Sequence, residues 1–457
     1  MGDKGAHVTM TEGPLLGILI RVAVPIALSN LFQSTYDIVN ALWVGQLGEA
    51  AIAAVAASGP LFSVLISLGS GLSVAGAVLI AQNAGAGRLD TLDHVAAQTL
   101  LMVGMMALAF TLIGASSATT LLHLIGVEPN IRMLASHYLD VRYIAMVPMF
   151  GFMATQAMLQ AVGEVRFAMA VQISSVVLNA LLDPLFIFGI GPLPAFGVVG
   201  AAMATVIAQT VALLVVLHHL LGGRSALHLH ARHFRPDPAH IRLALGIGLP
   251  ASVEQAIRTF SSLLLMSLAA SFGTVGLASY GVGTRLLTFW FTPMIGLSIA
   301  TATVVGQNIG AGHMDRAQAA SRLATWLGFF GLTAVGLILL PFVPFIMAAL
   351  APGEPEVIRG ASTFAYIYCP FLGLLTVPQV LLGTFRGAGS TRQSMTISIA
   401  MQWLFQLPSA WFLALATPMG ILGIWWSYPI ANGAAAILCV VWFLRGPWRR
   451  SLIAATA

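Results

Sequence analysis

The sequence predicts an all-α integral membrane protein whose twelve transmembrane helices form two six-helix lobes related by a pseudo-two-fold axis along the membrane normal. Three observations carry the prediction: composition, the recurrence of long apolar runs, and an internal repeat. Of 457 residues, 58% are hydrophobic and 8% charged, against roughly 25% charged in a soluble domain. No water-soluble fold hides that much apolar surface, so lipid is the solvent.

A helix needs about 20 apolar residues to cross a hydrocarbon core of roughly 30 Å. Runs of that length occupy 14–44, 51–81, 93–122, 131–160, 168–190 and 197–222 in the first half, and 239–271, 276–306, 317–349, 355–385, 392–416 and 420–445 in the second. Residues 1–13 read as a polar tail with no cleavable signal peptide ahead of the first span. The remaining connections are short, apart from the polar stretch 223–238, so no soluble catalytic domain is inserted. The expected organisation is an N-terminal tail (1–13), an N-lobe (14–222), an inter-lobe loop (223–238), a C-lobe (239–445) and a C-terminal tail (446–457).

Orientation follows from Lys and Arg, which favour cytoplasmic loops. Lys4, Arg21, Arg88, Arg166, Arg224, Arg232, Arg235, Arg242, Arg316, Arg322, Arg386, Arg392, Arg445, Arg449 and Arg450 fall at one set of alternating span ends. Only Arg132 and Arg359 lie clearly at the other, while Arg142, Arg258 and Arg285 fall within or at the edges of spans. A multi-pass protein of the plasma (inner) membrane with both termini cytoplasmic is expected. The net charge of +5 is scattered over these loops without an aromatic-bearing platform, so no nucleic acid partner is expected. Cys369 and Cys439 lie inside spans, which argues against a disulfide framework and offers no metal spacing.

The repeat appears when the chain is slid along itself by 225 residues. Pro25 meets Pro250, Gly48 meets Gly273, Gly71-Leu72-Ser73 meets Gly296-Leu297-Ser298, and Asp90 meets Asp315. Gln82-Asn83-Ala84-Gly85-Ala86-Gly87 meets Gln307-Asn308-Ile309-Gly310-Ala311-Gly312, a polar match that shared lipid exposure does not explain. The offset then drifts by a few residues, pairing Pro148 with Pro370, Gly163 with Gly389, and Gly197 with Gly420. Six spans per repeat return the second half to the same orientation, the parallel-repeat logic of transporters.

A charge at bilayer depth costs at least roughly 2.5–3.5 kcal/mol on insertion scales, so each one asks for an explanation. Asp37, with Asn30 and Ser34 before it, predicts a polar stripe on the first span, and Gln172, Ser175, Asn179 and Asp183 predict a fuller one on the fifth. Thr205 and Gln209 on the sixth span could complete an oxygen-rich chamber suited to a proton relay or a small hard cation. Two carboxylates in a poorly solvated site hold one proton between them; the competing reading is hydrogen-bonding glue between helices.

Glu254 and Arg258, four apart on the seventh span, can neutralise each other inside one helix or serve as an additional coupling or substrate site. Pro25 and Pro250 are candidate hinges, with plain packing as the alternative. His218, His219, His228, His230, His233 and His240 crowd the central loop, and solvated loop groups are the expected role rather than a metal site. Met146, Met149, Met153 and Met158, with Trp290 and Phe291, could line an adaptable apolar pocket or simply pack. The glycine-rich loops lack a Lys-Ser/Thr pair and a preceding strand, which excludes a nucleotide site.

Asp37, the exit Trp43-Val44-Gly45-Gln46-Leu47-Gly48, the doubled Gln-Asn-x-Gly-Ala-Gly loops, and Asn179-x-x-x-Asp183 followed by Gly197-x-x-Gly200-Ala201-Ala202 together resemble the multidrug and toxic compound extrusion (MATE) family. The resemblance covers nearly the whole chain. It implies a V-shaped twelve-helix antiporter, with Asp37, Asn179, Asp183 and Thr205 in the cation-coupling chamber and Tyr138 beside them. It also matches Glu254 to the acid that many members carry in the seventh helix. Members with that acid often carry a second in the tenth, and Phe364 to Phe385 contains none, which counts against a second-lobe sodium site.

The expected function is secondary active efflux of lipophilic, cationic drugs or toxic compounds by alternating access, in antiport against H+ or Na+. The expected partners are a small-molecule substrate and the lipid bilayer, the expected state is monomeric, and no cofactor and no metal beyond Na+ are expected. A lipid-precursor flippase of the related superfamily would want a basic cavity and extra spans. A membrane-embedded enzyme or scaffold is the reading from another class; no nucleophile elbow, zinc motif or buried His with a carboxylate partner supports catalysis.

Overall fold

A computed structural model describes residues 10–124, 126–189, 194–223 and 225–449. Lys4, Arg224, Arg450 and most of both tails lie outside these residues. The described chain is helical: α1 (Leu15–Gly45), α2 (Glu49–Gly85), α3 (Leu89–Leu124), α4 (Pro129–Ile144), α5 (Met146–Ala161), α6 (Val165–Phe188), α7 (Val198–Leu221), α8 (Pro238–Ala270), α9 (Gly273–Gly310), α10 (Met314–Leu339), α11 (Val343–Leu350), α12 (Pro355–Tyr368), α13 (Leu372–Gly387), α14 (Thr391–Ile399), α15 (Leu407–Leu415) and α16 (Ile421–Arg445). Taking α4–α5, α10–α11, α12–α13 and α14–α15 as one span each gives the twelve expected transmembrane helices.

The interruptions have local causes. α4 and α5 meet at 44°, and the break at Ala145 lies where Pro148 removes the donor to the carbonyl of Ile144. Its repeat partner Pro370 sits in the 3₁₀ turn Cys369–Phe371 between α12 and α13. A π-helical stretch, Ala400–Gln406, joins α14 to α15. Among the described residues, nine helices and the bent α4–α5 pair are apolar enough to span on composition alone. The exceptions are α8, which carries Arg242, Glu254 and Arg258, and α14–α15, which opens on Thr391-Arg392-Gln393-Ser394.

The doubled loop motif is a helix stop. Asn83 Nδ2 donates to the carbonyl of Leu79 at 2.8 Å and Asn308 Nδ2 to that of Val304 at 2.7 Å. The next amides fold back in the same way, Arg88 N to Asn83 O at 3.1 Å and His313 N to Asn308 O at 2.8 Å, which is the six-to-one bond of a glycine-terminated helix. Gly87 and Gly312 supply the left-handed residue, with φ of 69° and 79°. The helix starts repeat as well: Gly197 and Gly420 precede α7 and α16 with φ, ψ of 57°, −133° and 56°, −133°.

Residues Leu28–Ser252 form one compact unit, and Met10–Ala27 with the chain from Val253 onward form the other. The boundary therefore crosses α1 just after Pro25 and α8 just after Pro250, the two candidate hinges. In the first unit, Gly71 of α2 lies so close to the backbone of Gly248 in α8 that no Cβ would fit. In the second, a Cβ on Gly296 of α9 would fall 2.9 Å from the carbonyl oxygen of Ala23 in α1. The two contacts are equivalent under the repeat, so each unit takes the opening turns of the proline-bearing helix from the other half of the sequence. A division at the inter-lobe loop alone misses this exchange, because small residues rather than chain order decide which helix backbones can approach.

Within the second unit, Gly383 and Gly387 of α13 face Ser298 and Ala302 of α9, with no room for a Cβ at either glycine. This small-xxx-small spacing lets the two helices close on each other. Gly383→Val should cost about 2 kcal/mol or more through overpacking. A lowered unfolding temperature in detergent, or loss of monodisperse protein, is the expected observation.

Candidate functional site

The first unit contains a partly open cavity of about 380 Å³. α1 contributes Gln33, Tyr36, Asp37 and Asn40, α2 contributes Phe62 and Ile66, and α4 contributes Tyr138 and Arg142. α5 adds Met149, Phe152, Met153 and Gln156; α6 adds Gln172, Ser175, Val176 and Asn179; α7 adds Thr205 and Gln209. The lining thus combines thioether and aromatic groups with amide, hydroxyl, carboxylate and guanidinium ones.

The polar part of the lining is built from helical spacing. On α1 the lining residues fall at 33, 36, 37 and 40, one face of a helix. Asn30 and Ser34, expected on the same stripe as Asp37, do not line the cavity; the face is rotated from the one their spacing suggests. On α6, Gln172, Ser175 and Asn179 of the expected stripe line the cavity, while Asp183, its fourth member, is fully buried and not among the lining residues.

Asp37 lines the cavity and is solvent-accessible. Its Oδ1 accepts a bond from Gln33 Nε2 at 3.0 Å. Asp183 has no exposed surface, and its Oδ2 accepts the hydroxyl of Tyr36 at 3.1 Å. Adjacent residues of α1 thus connect the two acids, Asp37 itself and Tyr36 through its phenol. Asn179 Nδ2 donates to Thr205 Oγ1 at 3.3 Å, which donates to the carbonyl of Ala201 at 3.0 Å.

Among the described residues, Asp183 Oδ1, Asn179 Oδ1, Gln209 Oε1 and Asn40 Oδ1 are buried acceptors without a donor. Leaving such an atom unsatisfied costs about 1–3 kcal/mol. An acceptor-rich, donor-poor set of carboxylate, amide and hydroxyl oxygens fits a proton or a small hard cation such as Na+.

Arg142 is the cavity's own cation and was not singled out by the sequence. Its guanidinium carbon lies 3.9 Å from the ring centroid of Phe62 and 6.0 Å from that of Tyr138, and it shares the cavity lining with Asp37. The signal was present: an arginine within the fourth span asks for a partner just as an in-span acid does. Met149 and Met153 line the cavity, whereas Met146 and Met158 are fully buried packing residues. Trp290 belongs to the core of the second unit, stacked on Tyr368 at 5.9 Å.

Glu254 lies in the second unit, 2% exposed, and is held by more than its helical neighbour. Arg258 Nη2 reaches Oε1 at 3.1 Å, as the i,i+4 spacing predicts. Arg386 of α13 makes a closer ion pair with the same oxygen. Ser394 Oγ donates to Oε2 at 2.7 Å and Ser398 Oγ to Oε1 at 3.1 Å. Two guanidiniums and two hydroxyls thus surround this carboxylate.

The histidine-rich loop is docked on the first unit. Asp93 accepts the amide of His228 at 2.7 Å, and Gln98 donates to the carbonyls of His233 and Arg235 at 2.6 Å each. His94 pairs with Asp237 at 3.1 Å and His219 with Glu164 at 2.9 Å. Partial burial works against the Asp237 carboxylate, but bonds from His94 and from the amides of His240 and Ala239 outweigh it and hold the group below the usual carboxylate range. No group of three or more metal-ligating side chains occurs among the described residues.

Comparison with known proteins accords with this geometry. The MatE family profile matches twice, over residues 25–185 and 250–412, once in each half of the repeat. The chain is 29% identical over 434 residues to the "Probable multidrug resistance protein YoeA" of Bacillus subtilis (strain 168), covering 94% of this chain and 93% of that one. It is 29% identical to the "Probable multidrug resistance protein NorM" of Agrobacterium fabrum, covering 93% and 92%. The "FAD transporter" of Shewanella oneidensis is 23% identical over 438 residues, with 94% of each chain covered. Among solved structures, MATE in complex with MaL6 superposes with a TM-score of 0.92 at 25% identity, over 96% of this chain and 98% of that one. An outward-facing multidrug resistance MATE family transporter of the MOP superfamily does so with a TM-score of 0.91, also at 25% identity, over 97% and 98%. With the profile matched in both halves and the fold shared over almost the full length, the chain belongs to the MatE family of multidrug and toxic compound extrusion transporters.

Proposed function

We propose that this protein exports lipophilic cations by antiport against H+ or Na+, with the coupling cation bound around Asp37, Asp183, Asn179 and Thr205. The observation that carries the reading is the cavity itself: apolar Met149, Phe152, Met153 and Phe62 share its lining with Asp37, while Asp183 and Asn179 keep donor-free oxygens. A lipophilic cation satisfies the first, and a proton or Na+ satisfies the second. Alternation between the two gives exchange. Both termini are assigned to the cytoplasm of a plasma (inner) membrane, on the distribution of Lys and Arg.

The driving force is adequate. One pH unit is worth about 1.4 kcal/mol and 100 mV about 2.3 kcal/mol per charge, together a gradient of several hundredfold. Proteoliposomes preloaded with a fluorescent cation should show counterflow, and imposing proton and sodium gradients separately should reveal accumulation under one of them. Absence of both counterflow and gradient-driven uptake would refute transport of this class.

A second reading is favoured by Arg142. A cation inside the cavity can also receive an anionic cargo, such as the flavin dinucleotide named for the Shewanella relative. Competition of FAD against the fluorescent cation separates the two readings.

A further inference from the structure

Three glutamines join Asp37 to the far wall of the cavity. Gln33 Nε2 donates to Asp37 Oδ1 at 3.0 Å, Gln172 Nε2 donates to Gln33 Oε1 at 2.8 Å, and Gln156 Nε2 donates to Gln172 Oε1 at 3.3 Å. The chain crosses from α1 to α6 to α5, and its residues are 139 and 16 positions apart. Every bond points the same way. An ionised carboxylate can only accept, so Gln33 must turn its NH₂ toward Asp37, which leaves its carbonyl for Gln172, whose carbonyl is then left for Gln156. The amide at the end of the chain lines the cavity with its carbonyl as the unused group.

We propose that Gln33, Gln172 and Gln156 form a reversible amide relay that converts the cation state of Asp37 into the polarity of the cavity wall at Gln156. A protonated Asp37 gains an O–H donor and becomes a weaker acceptor, and a carboxylate that has bound Na+ presents a cation; both favour the carbonyl of Gln33 over its NH₂. Gln33 then turns over, and each following amide must turn over with it, because a chain of amides is satisfied only when all members share one direction. Gln156 ends with its NH₂ toward the cavity. The wall therefore accepts hydrogen bonds from a substrate cation when Asp37 is free and ionised, and opposes that cation when Asp37 is occupied. This is the sign that antiport requires.

The groups around Asp37 permit the switch. Arg142 and Tyr138 of α4 line the same cavity, and Asp183 of α6 is occupied by Tyr36. None of them is hydrogen-bonded to the three glutamines. The repeat supports the same division of labour, since residue 262, which aligns with Asp37 in the second half, is a serine and has no charge to report.

The inference rests on a cation binding at Asp37, and the test separates the two ideas. Ethidium affinity of the purified protein is measured by fluorescence in alkaline sodium-free buffer, in acidic buffer, and with sodium added. Unsubstituted protein should bind ethidium about tenfold more weakly in acid or with sodium, within the roughly 5–150-fold span of a typical coupling free energy. Gln172→Met and Gln33→Met break the chain at different links, and each should reduce that ratio to less than about twofold. Neither should change the ratio further in an Asp37→Asn background. Loss of the ratio in Asp37→Asn but retention in both methionine variants overturns the relay alone. A ratio of one in the unsubstituted protein overturns both the relay and cation binding at Asp37. Loss of ethidium binding under every condition in folded Gln172→Met and Gln33→Met assigns these glutamines to direct substrate contact and also overturns the relay.

Discussion

Replacing Asp37 by asparagine should abolish gradient-driven accumulation, taking it from several hundredfold to none. The amide keeps the size of the side chain and still accepts from Gln33 Nε2, so the cavity wall stays intact. What it loses is the exchangeable charge: an amide neither takes up a proton near neutral pH nor neutralises Na+. Asp183, which shares the coupling cation, cannot exchange it with the cavity by itself, because it has no exposed surface and one of its oxygens is tied to Tyr36. The measurement is uptake of a fluorescent cation into proteoliposomes, under the gradient that drives the unsubstituted protein. Fully driven uptake by folded Asp37→Asn would remove this residue from the coupling step.

The second large effect is expected at Glu254, and it is an effect on stability. Glu254→Gln leaves the guanidiniums of Arg258 and Arg386 facing each other across a neutral amide, and takes the anionic acceptor from Ser394 and Ser398. Breaking one side of a buried ion pair costs about 3–5 kcal/mol. The lower end applies here, since the arginine side chains keep 23% and 24% of their surface exposed. Thermal unfolding in detergent should show the loss, and adding Arg386→Gln should recover part of it by removing the surplus cation. Gradient-driven uptake per folded molecule should persist in Glu254→Gln. Coupling that vanishes while the fold survives would instead make Glu254 part of the transport cycle.

The contrast between these acids shows what kind of information a sequence holds. The Glu254–Arg258 pair is four residues apart on one helix, so helical geometry alone brings the side chains together. Arg386 is 132 residues further on, and its position among loop-facing arginines assigned it to the membrane surface. Likewise the α6 stripe from Gln172 to Asp183 was legible because one helix face carries it. The α1 stripe was legible only to within a turn: Asn30, Ser34 and Asp37 fit one face as well as Gln33, Tyr36, Asp37 and Asn40 do. The choice between them depends on how α1 packs against α6, which places Tyr36 on Asp183 and Gln33 on Gln172. Pro25 and Pro250 were visible as possible bends, whereas the change of unit beside each required the contacts of Ala23 and Gly248.

By itself the sequence determined the solvent, the twelve spans, the repeat and the residue types of an oxygen-rich chamber, because hydropathy, 3.6-residue periodicity and the cost of buried charge act along the chain. Tertiary structure alone decided which residues complete that chamber: Tyr36, Arg142 and the glutamine chain in the first unit, and Arg386 with two serines closing the carboxylate of Glu254 in the second. Those pairings join residues from different helices. Their partners are fixed by how closely glycine-bearing backbones approach and by the azimuth at which each helix is buried, and neither quantity can be read from one helix at a time.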